Sequence, residues 1–255
     1  MKFFKSFFLA LTIIFVFVYC TKNGVVGNIS PTSIQLINTY YGKTFSLQTG
    51  GNTVVSNTPY DSASLFASGP PGFYSLLVTD ATSNANILAG NINLQSGEQY
   101  SLFLIRDSAQ NSDSVRYSLV TNNAIRPQFD SVKIRILNFA RNLPYTNLYF
   151  YINRGPGVIG ALSPFVSSIY TLGRRYLDNN QNPAVAQYFT IPAGPRYNIK
   201  FLNGSDTSIR VMDSILFQPD TATKLYTLCL EGRYDADSVG KYKSPDSLKL
   251  KFIRQ

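Results

Sequence analysis

Few side chains in this sequence are placed to do chemistry, and Cys20 has the clearest position. Lys2 and Lys5 make a basic start, Phe7 to Tyr19 is apolar apart from Thr12, and Cys20 is followed by the polar Thr21-Lys22-Asn23-Gly24. That order, a charged n-region, an apolar h-region of roughly 7–15 residues and a processing site, predicts a secretory signal over residues 1–19. The apolar run falls short of the ~20 residues needed to cross a bilayer as a helix. A thiol at such a junction can be acylated, and acyl chains supply ~0.8 kcal/mol of membrane affinity per buried methylene. Residues 20–32 are therefore read as a lipidated cysteine and a tether, and the membrane as a partner through lipid on Cys20. Bulky Phe17 and Tyr19 are a poor fit to a processing pocket, so cleavage is the weak step.

The other reactive side chains point away from catalysis. Cys229 lies in the apolar run Leu225-Tyr226-Thr227-Leu228-Cys229-Leu230, where a free cysteine acts as a small hydrophobe. A catalytic thiol wants a base beside it, and the chain has no histidine. The same absence removes Ser-His-Asp machinery and most zinc sites. There is no G-x-S-x-G elbow, P-loop or dinucleotide fingerprint. Of the 14 carboxylates most sit beside Ser, Gly, Asn or Pro, where Asp makes turns. A glycosidase needs only two carboxylates at about 5–10 Å, so a glycan hydrolase stays open as an alternative. Asp178-Asn179-Asn180-Gln181-Asn182 begins like a calcium loop, but Pro183 stands where Gly is needed and Phe189 where Glu is needed. No catalytic residue, metal or cofactor is assigned. The formal charge of +9 becomes +7 once Lys2 and Lys5 leave with the signal, and Arg174-Arg175 is the only adjacent basic pair. Nucleic acid would want a basic stripe, so it is not an expected partner.

The elements that would carry a site come from a chain that repeats itself. Ser33-Ile34-Gln35-Leu36-Ile37-Asn38 matches Lys133-Ile134-Arg135-Ile136-Leu137-Asn138. Phe66-Ala67-Ser68-Gly69-Pro70-Pro71-Gly72-Phe73-Tyr74-Ser75-Leu76 matches Phe189-Thr190-Ile191-Pro192-Ala193-Gly194-Pro195-Arg196-Tyr197-Asn198-Ile199, and Ile92 to Leu102 matches Ile215 to Asp220, a short insertion and Leu225-Tyr226-Thr227-Leu228. Tyr74, Leu76 and Val78 alternate with Ser75, Leu77 and Thr79, and Tyr197, Ile199 and Phe201 alternate in the same way. Period two of this kind puts one set of side chains on a buried face. The Pro-Gly segments before them fit tight turns. The closing Leu248-Lys249-Leu250-Lys251-Phe252 alternates too and reads as an edge strand with its lysines on the wet side. Short strands at regular spacing, with 35 Phe and Tyr in all, predict an all-β chain. We expect two tandem immunoglobulin-like antiparallel β-sandwich domains over residues 33–127 and 128–255; one two-sheet sandwich built from both halves is the alternative.

Val132-Lys133-Ile134-Arg135-Ile136-Leu137-Asn138, Leu148-Tyr149-Phe150-Tyr151-Ile152-Asn153, the Pro192-Ala193-Gly194 turn into Tyr197 and Lys224-Leu225-Tyr226-Thr227-Leu228 resemble the domain of unknown function DUF4397. The resemblance covers the second half well and the first loosely. It implies an immunoglobulin-like β architecture, often in tandem in envelope lipoproteins of Gram-negative bacteria, and brings no catalytic residues. Residues 154–186 have no counterpart of similar length in the first repeat, and long insertions on a rigid scaffold often carry function. Tyr170, Arg174, Arg175 and Tyr176 fall in that insertion and are the expected binding surface, because Tyr can stack on sugars and Arg can grip carboxylates or phosphates. The sequence thus predicts a non-catalytic outer-membrane lipoprotein, facing the periplasm or the surface, that binds an envelope protein or glycan. A structural spacer is the other non-catalytic expectation.

Overall fold

The computed structural model describes residues 29–107, 114–122, 127, 130–140, 146–152, 186–194, 196–203, 210–220, 225–232 and 249–254. Cys20, Tyr170, Arg174, Arg175 and Tyr176 lie outside the described residues.

The chain is all-β. In its first half, β1 (Thr32–Asn38), β4 (Ser62–Ala63), β5 (Ala67–Gly69), β8 (Gln99–Asp107) and β9 (Ser114–Thr121) form sheet A, with β1 between β8 and the short β4 and β5. Sheet B has the order β3 (Asn52–Thr58), β2 (Phe45–Thr49), β6 (Gly72–Asp80), β7 (Asn86–Leu94). The second half repeats the plan. Sheet C has the order β12 (Phe189–Pro192), β10 (Ser131–Asn138), β15 (Leu225–Glu231), β16 (Lys249–Arg254). Sheet D contains β11 (Thr146–Ile152), β13 (Tyr197–Asn203) and β14 (Arg210–Phe217).

The pairing is not antiparallel throughout, as the sequence reading had it. β1 runs parallel to β8, with Ile34 opposite Tyr100, and β10 runs parallel to β15, with Ile134 opposite Tyr226. Parallel neighbours need a long crossover, and the intervening strands of each half supply one.

Alternation sorts each strand between two neighbours. Ile34, Leu36, Tyr100, Leu102 and Leu104 of sheet A pack on Phe45, Leu47, Leu76, Val78, Ile92 and Leu94 of sheet B. Val132, Ile134, Ile136, Tyr226, Leu228 and Leu230 of sheet C pack on Tyr197, Ile199 and Phe217 of sheet D. A third cluster joins the halves: Ile37, Phe103, Ile105 and Val120 from the back of sheet A meet Leu137, Phe139, Cys229 and Ile253 from the back of sheet C. The layers therefore run B, A, C, D. This stacking explains why all seven residues of β1 are buried. A strand covered on both faces buries its polar residues as well, and here Thr32, Gln35 and Asn38 donate to the Glu98 carbonyl, Ser101 Oγ and the Lys43 carbonyl.

The turns repeat as well. The Tyr74 hydroxyl donates to the Pro70 carbonyl at 2.6 Å, and the Tyr197 hydroxyl donates to the Pro192 carbonyl at 2.8 Å. Asn38 Oδ1 accepts from the Tyr40 amide and Asn138 Oδ1 from the Ala140 amide, both at 2.9 Å. The Gln95 and Asp220 amides donate to the hydroxyls of Tyr100 and Tyr226. Each bond satisfies a backbone group that a strand end would otherwise leave open.

The lysines of the last strand correct an expectation. β16 is an edge strand, yet Lys249 and Lys251 are partly buried rather than fully open to water. They lie on the side of sheet C that meets the first half, where Lys251 is paired with Asp61 and its side chain is only 12% exposed. Period two shows that the two faces differ; only the stacking of the halves decides what covers them.

Candidate functional site

Two adjoining surfaces of the first half have the makings of a binding site. The first is a groove of about 430 Å³ between β3 and the segment 59–67 that follows it. Its lining includes Val54, Ser56, Asn57, Ser62, Ser64, Leu65 and Phe66, and no lining residue is charged. Leu65 is 91% exposed and Phe66 is also open to solvent, so the mouth of the groove presents apolar surface. The wall 59–67 is built by backbone pairing to β1, Ile37 opposite Ala63 and Asn38 opposite Ser62. The Ser64 amide donates to the Leu36 carbonyl at 2.8 Å, and the Leu36 amide donates to Ser64 Oγ at 2.9 Å. Asn57 and Asp61 take left-handed conformations at φ 51 and 63 to make the two corners of this wall. Asn and Asp tolerate that region better than most residues, which is why a non-glycine chain can turn there.

The second surface is the outward face of sheet B. In β6 the core takes Leu76 and Val78, which leaves Phe73, Ser75, Leu77 and Thr79 on the other side. Register places Asn93 beside Phe73, Asn91 beside Ser75, Ala89 and Gln48 beside Leu77, and Ser46 beside Thr79. Phe73 is 84% exposed. This face, too, carries no formal charge, in a chain whose net charge is +9. A large exposed aromatic ringed by amides and hydroxyls has both a stacking surface and directional hydrogen-bonding groups. Sheet B ends at β3, and β3 also lines the groove, so one strand borders both surfaces.

Ionisable groups sit elsewhere. Asp80, buried at the end of β6, accepts from Lys43 Nζ at 2.8 Å and from the Thr82 amide, and these bonds hold its carboxyl below the usual range. Cys229 is a free, buried thiol whose ionisation burial opposes, as expected of a packing residue. Two carboxylates do come together across the junction, Asp61 and Glu231. They form no open pair: Glu231 is 3% exposed and Lys251 occupies Asp61 at 2.7 Å.

Sequence reasoning placed its binding residues in the insertion and passed over Leu65, Phe66 and Phe73. A signal for Phe73 was present, because the alternation that buries Tyr74, Leu76 and Val78 puts this phenylalanine among the polar set. Leu65-Phe66, an apolar pair with no period around it, offered a weaker one.

The family model described as "Domain of unknown function (DUF4397)" matches residues 32–149. That span holds the whole first repeat, β10 and the start of β11, so the match favours the half that the motifs had covered loosely. The long stretch between β11 and β12 interrupts the second copy after those strands. No curated protein matches the chain. Among solved structures, a streptococcal virulence factor described for alpha-glucan binding is 11% identical over 78% of this chain and 93% of its own, with a TM-score of 0.27. Family 41 carbohydrate-binding modules from streptococcal virulence factors, described for alpha-glucan recognition, are 12% identical over 77% and 92%, with a TM-score of 0.25. The module CBMbc (family CBM26) from Eubacterium rectale Amy13K, in complex with maltoheptaose, is 13% identical over 80% and 94%, again with a TM-score of 0.25. Superpositions at these TM-scores establish neither a shared fold nor a shared ligand.

Proposed function

We propose that this chain is a non-catalytic cell-envelope protein, anchored through lipid on Cys20, whose first half binds a neutral glycan. The observation that carries this reading is the charge-free surface around the exposed Phe73, with Asn93, Asn91 and Ser75 beside it and Gln48 further along the same face. A sugar ring offers C–H faces that stack on an aromatic and hydroxyls that pair with amides. An anionic ligand would find no counter-charge on this face. Each stacked or hydrogen-bonded contact contributes about 0.5–1.5 kcal/mol, so a few of them give an affinity of about millimolar. Tyr170, Arg174, Arg175 and Tyr176 extend this reading as a second contact region. The signal order before Cys20 supports a location at the outer membrane, facing periplasm or surface.

Two experiments test it. Residues 21–255 should be retarded in gels containing neutral polysaccharide, and anionic polysaccharide should retard them no more than its charge explains. Equal retardation by both classes would remove the neutral-glycan reading. Metabolic labelling with a fatty acid should mark the wild type and not Cys20→Ala, and equal labelling would remove the anchor.

A further inference from the structure

The wall of the groove is tied to β1 on one side and held from the other half of the chain on the other. Its residues Tyr60 and Asp61 meet two lysines of β16. Lys249 Nζ donates to the Tyr60 hydroxyl and lies 4.7 Å from the centre of the Tyr60 ring. Lys251 Nζ lies 2.7 Å from Asp61 Oδ1, a charge pairing without the alignment of a good hydrogen bond. Tyr41 supports the same spot, edge-on to Tyr60 at 5.2 Å. Behind the lysines stands Glu231 of β15, the cross-strand partner of Lys249. It is 3% exposed, and neither carboxyl oxygen has a hydrogen-bond partner among the described residues.

We propose that Lys249 and Lys251 are positioning residues for the groove, clamping its wall across the junction, and that the proton on Glu231 decides whether Lys251 stays on Asp61. The effect on glycan affinity rests on the reading above; the clamp itself does not.

The groups that face Glu231 are Lys249 and Lys251 from β16, Asp61 from the wall, and Cys229 from its own strand, with Arg135 of β10 coupled to Cys229 further along. Burial pushes the Glu231 carboxyl up to about 8, Lys251 draws it partly back, and Asp61 pushes it further. While the proton is on, Glu231 makes no claim on Lys251, and the ammonium belongs to Asp61. Once it leaves, a buried anion competes with Asp61, whose side chain is 60% exposed, for the same ammonium. An uncompensated charge costs far more inside than at the surface, so Lys251 turns to Glu231 and the wall loses its ion pair. Lys249 does not replace it, because its Nζ is already held by the hydroxyl and ring of Tyr60.

Hydrogen exchange on the full chain reads the clamp without any ligand, so failure of the glycan reading leaves this test intact. The amides of Asp61 and Ser64 donate to the carbonyls of Asn38 and Leu36 at 3.0 and 2.8 Å and report directly on the wall. Their protection should fall about tenfold in Lys251→Met while the amides of β6 and β7 keep theirs. Asp61→Asn, an exposed change that leaves the core alone, should do the same. Wild-type protection at these two amides should fall between about pH 6 and about pH 9, and Glu231→Gln should hold it flat. Unchanged protection in both Lys251→Met and Asp61→Asn would overturn the clamp. A pH dependence that survives in Glu231→Gln would overturn the role of its proton. Should Lys251→Met loosen the whole core, Asp61→Asn alone decides.

Discussion

The two halves share a scaffold and differ in what they show to the outside. Both place a parallel strand pair at the centre of one sheet, and both close a Pro-Gly turn with a tyrosine hydroxyl on a proline carbonyl. The tyrosine-to-proline bond that holds each turn is thus kept, with the two residues one position further apart in the second half. Where the first half has the exposed Phe73 before its turn tyrosine, the second has Arg196 before Tyr197. At the junction, Gln35 of the first half stands where the second has Arg135. The turn tyrosines are the same in both copies, while the position before that tyrosine and this position at the junction have diverged.

The junction pair shows what that divergence does. Gln35 Nε2 and Asn122 Nδ2 both donate to Ser101 Oγ, at 2.6 and 2.7 Å. Arg135 is fully buried and donates to Thr227 Oγ1, the Thr121 carbonyl and Asn122 Oδ1, with the Tyr188 ring 4.8 Å from its guanidinium carbon. Asn122 therefore links the two polar groups, one from each repeat. Breaking this comparison should have the largest effect in the molecule. Arg135→Ala leaves a large void and strands three acceptors, and should cost about 3–5 kcal/mol in chemical denaturation. Gln35→Ala, which strands neutral partners only, should cost about 1 kcal/mol.

The pH dependence of stability sharpens the contrast, because the strained acid belongs to the second half. Glu231 has a folded value raised to about 8 from an ordinary 4.5, so the folded chain keeps a proton that the unfolded chain releases. Its contribution to stability is complete below about pH 4.5 and is lost as pH rises through about 8. Denaturation midpoints should fall across that window in the wild type, and Glu231→Gln should flatten the fall. Asp80 in the first half works in the opposite sense. Its depressed carboxyl contributes above the ordinary carboxylate range and loses that contribution as pH falls through its folded value.

Smaller effects come from the shared framework. Tyr197→Phe removes a hydrogen bond from a buried ring and should cost about 1 kcal/mol by thermal or chemical melting. Tyr74→Phe should cost less, since that hydroxyl bonds at an exposed site where water can replace it.

These differences also show how far the sequence could be read. The strands, the Pro-Gly turns and the repeat were legible because alternation and turn chemistry are local. The family match over residues 32–149 accords with the resemblance those motifs carried. The stacking of sheet A on sheet C was not legible. Ile37, Leu137 and Cys229 look like ordinary strand residues until the other half covers them, and Lys249 and Lys251 look like a wet face for the same reason. The site was legible only in part. Alternation singled out Phe73 as an aromatic on the polar side, but nothing local said that Pro59 to Ala67 would fold back to wall a groove. That depends on pairing with β1, about 25 residues earlier.

The central claim is that the charge-free face of the first half takes a neutral glycan, and one pair of variants tests it directly. Binding of a neutral polysaccharide that retards the wild type should weaken about tenfold or more in Phe73→Ala, with stability changed by less than about 0.5 kcal/mol. Arg196→Ala, at the matching position of the second half, should leave that binding unchanged. Undiminished binding in Phe73→Ala, or an equal loss in both variants, would contradict the account.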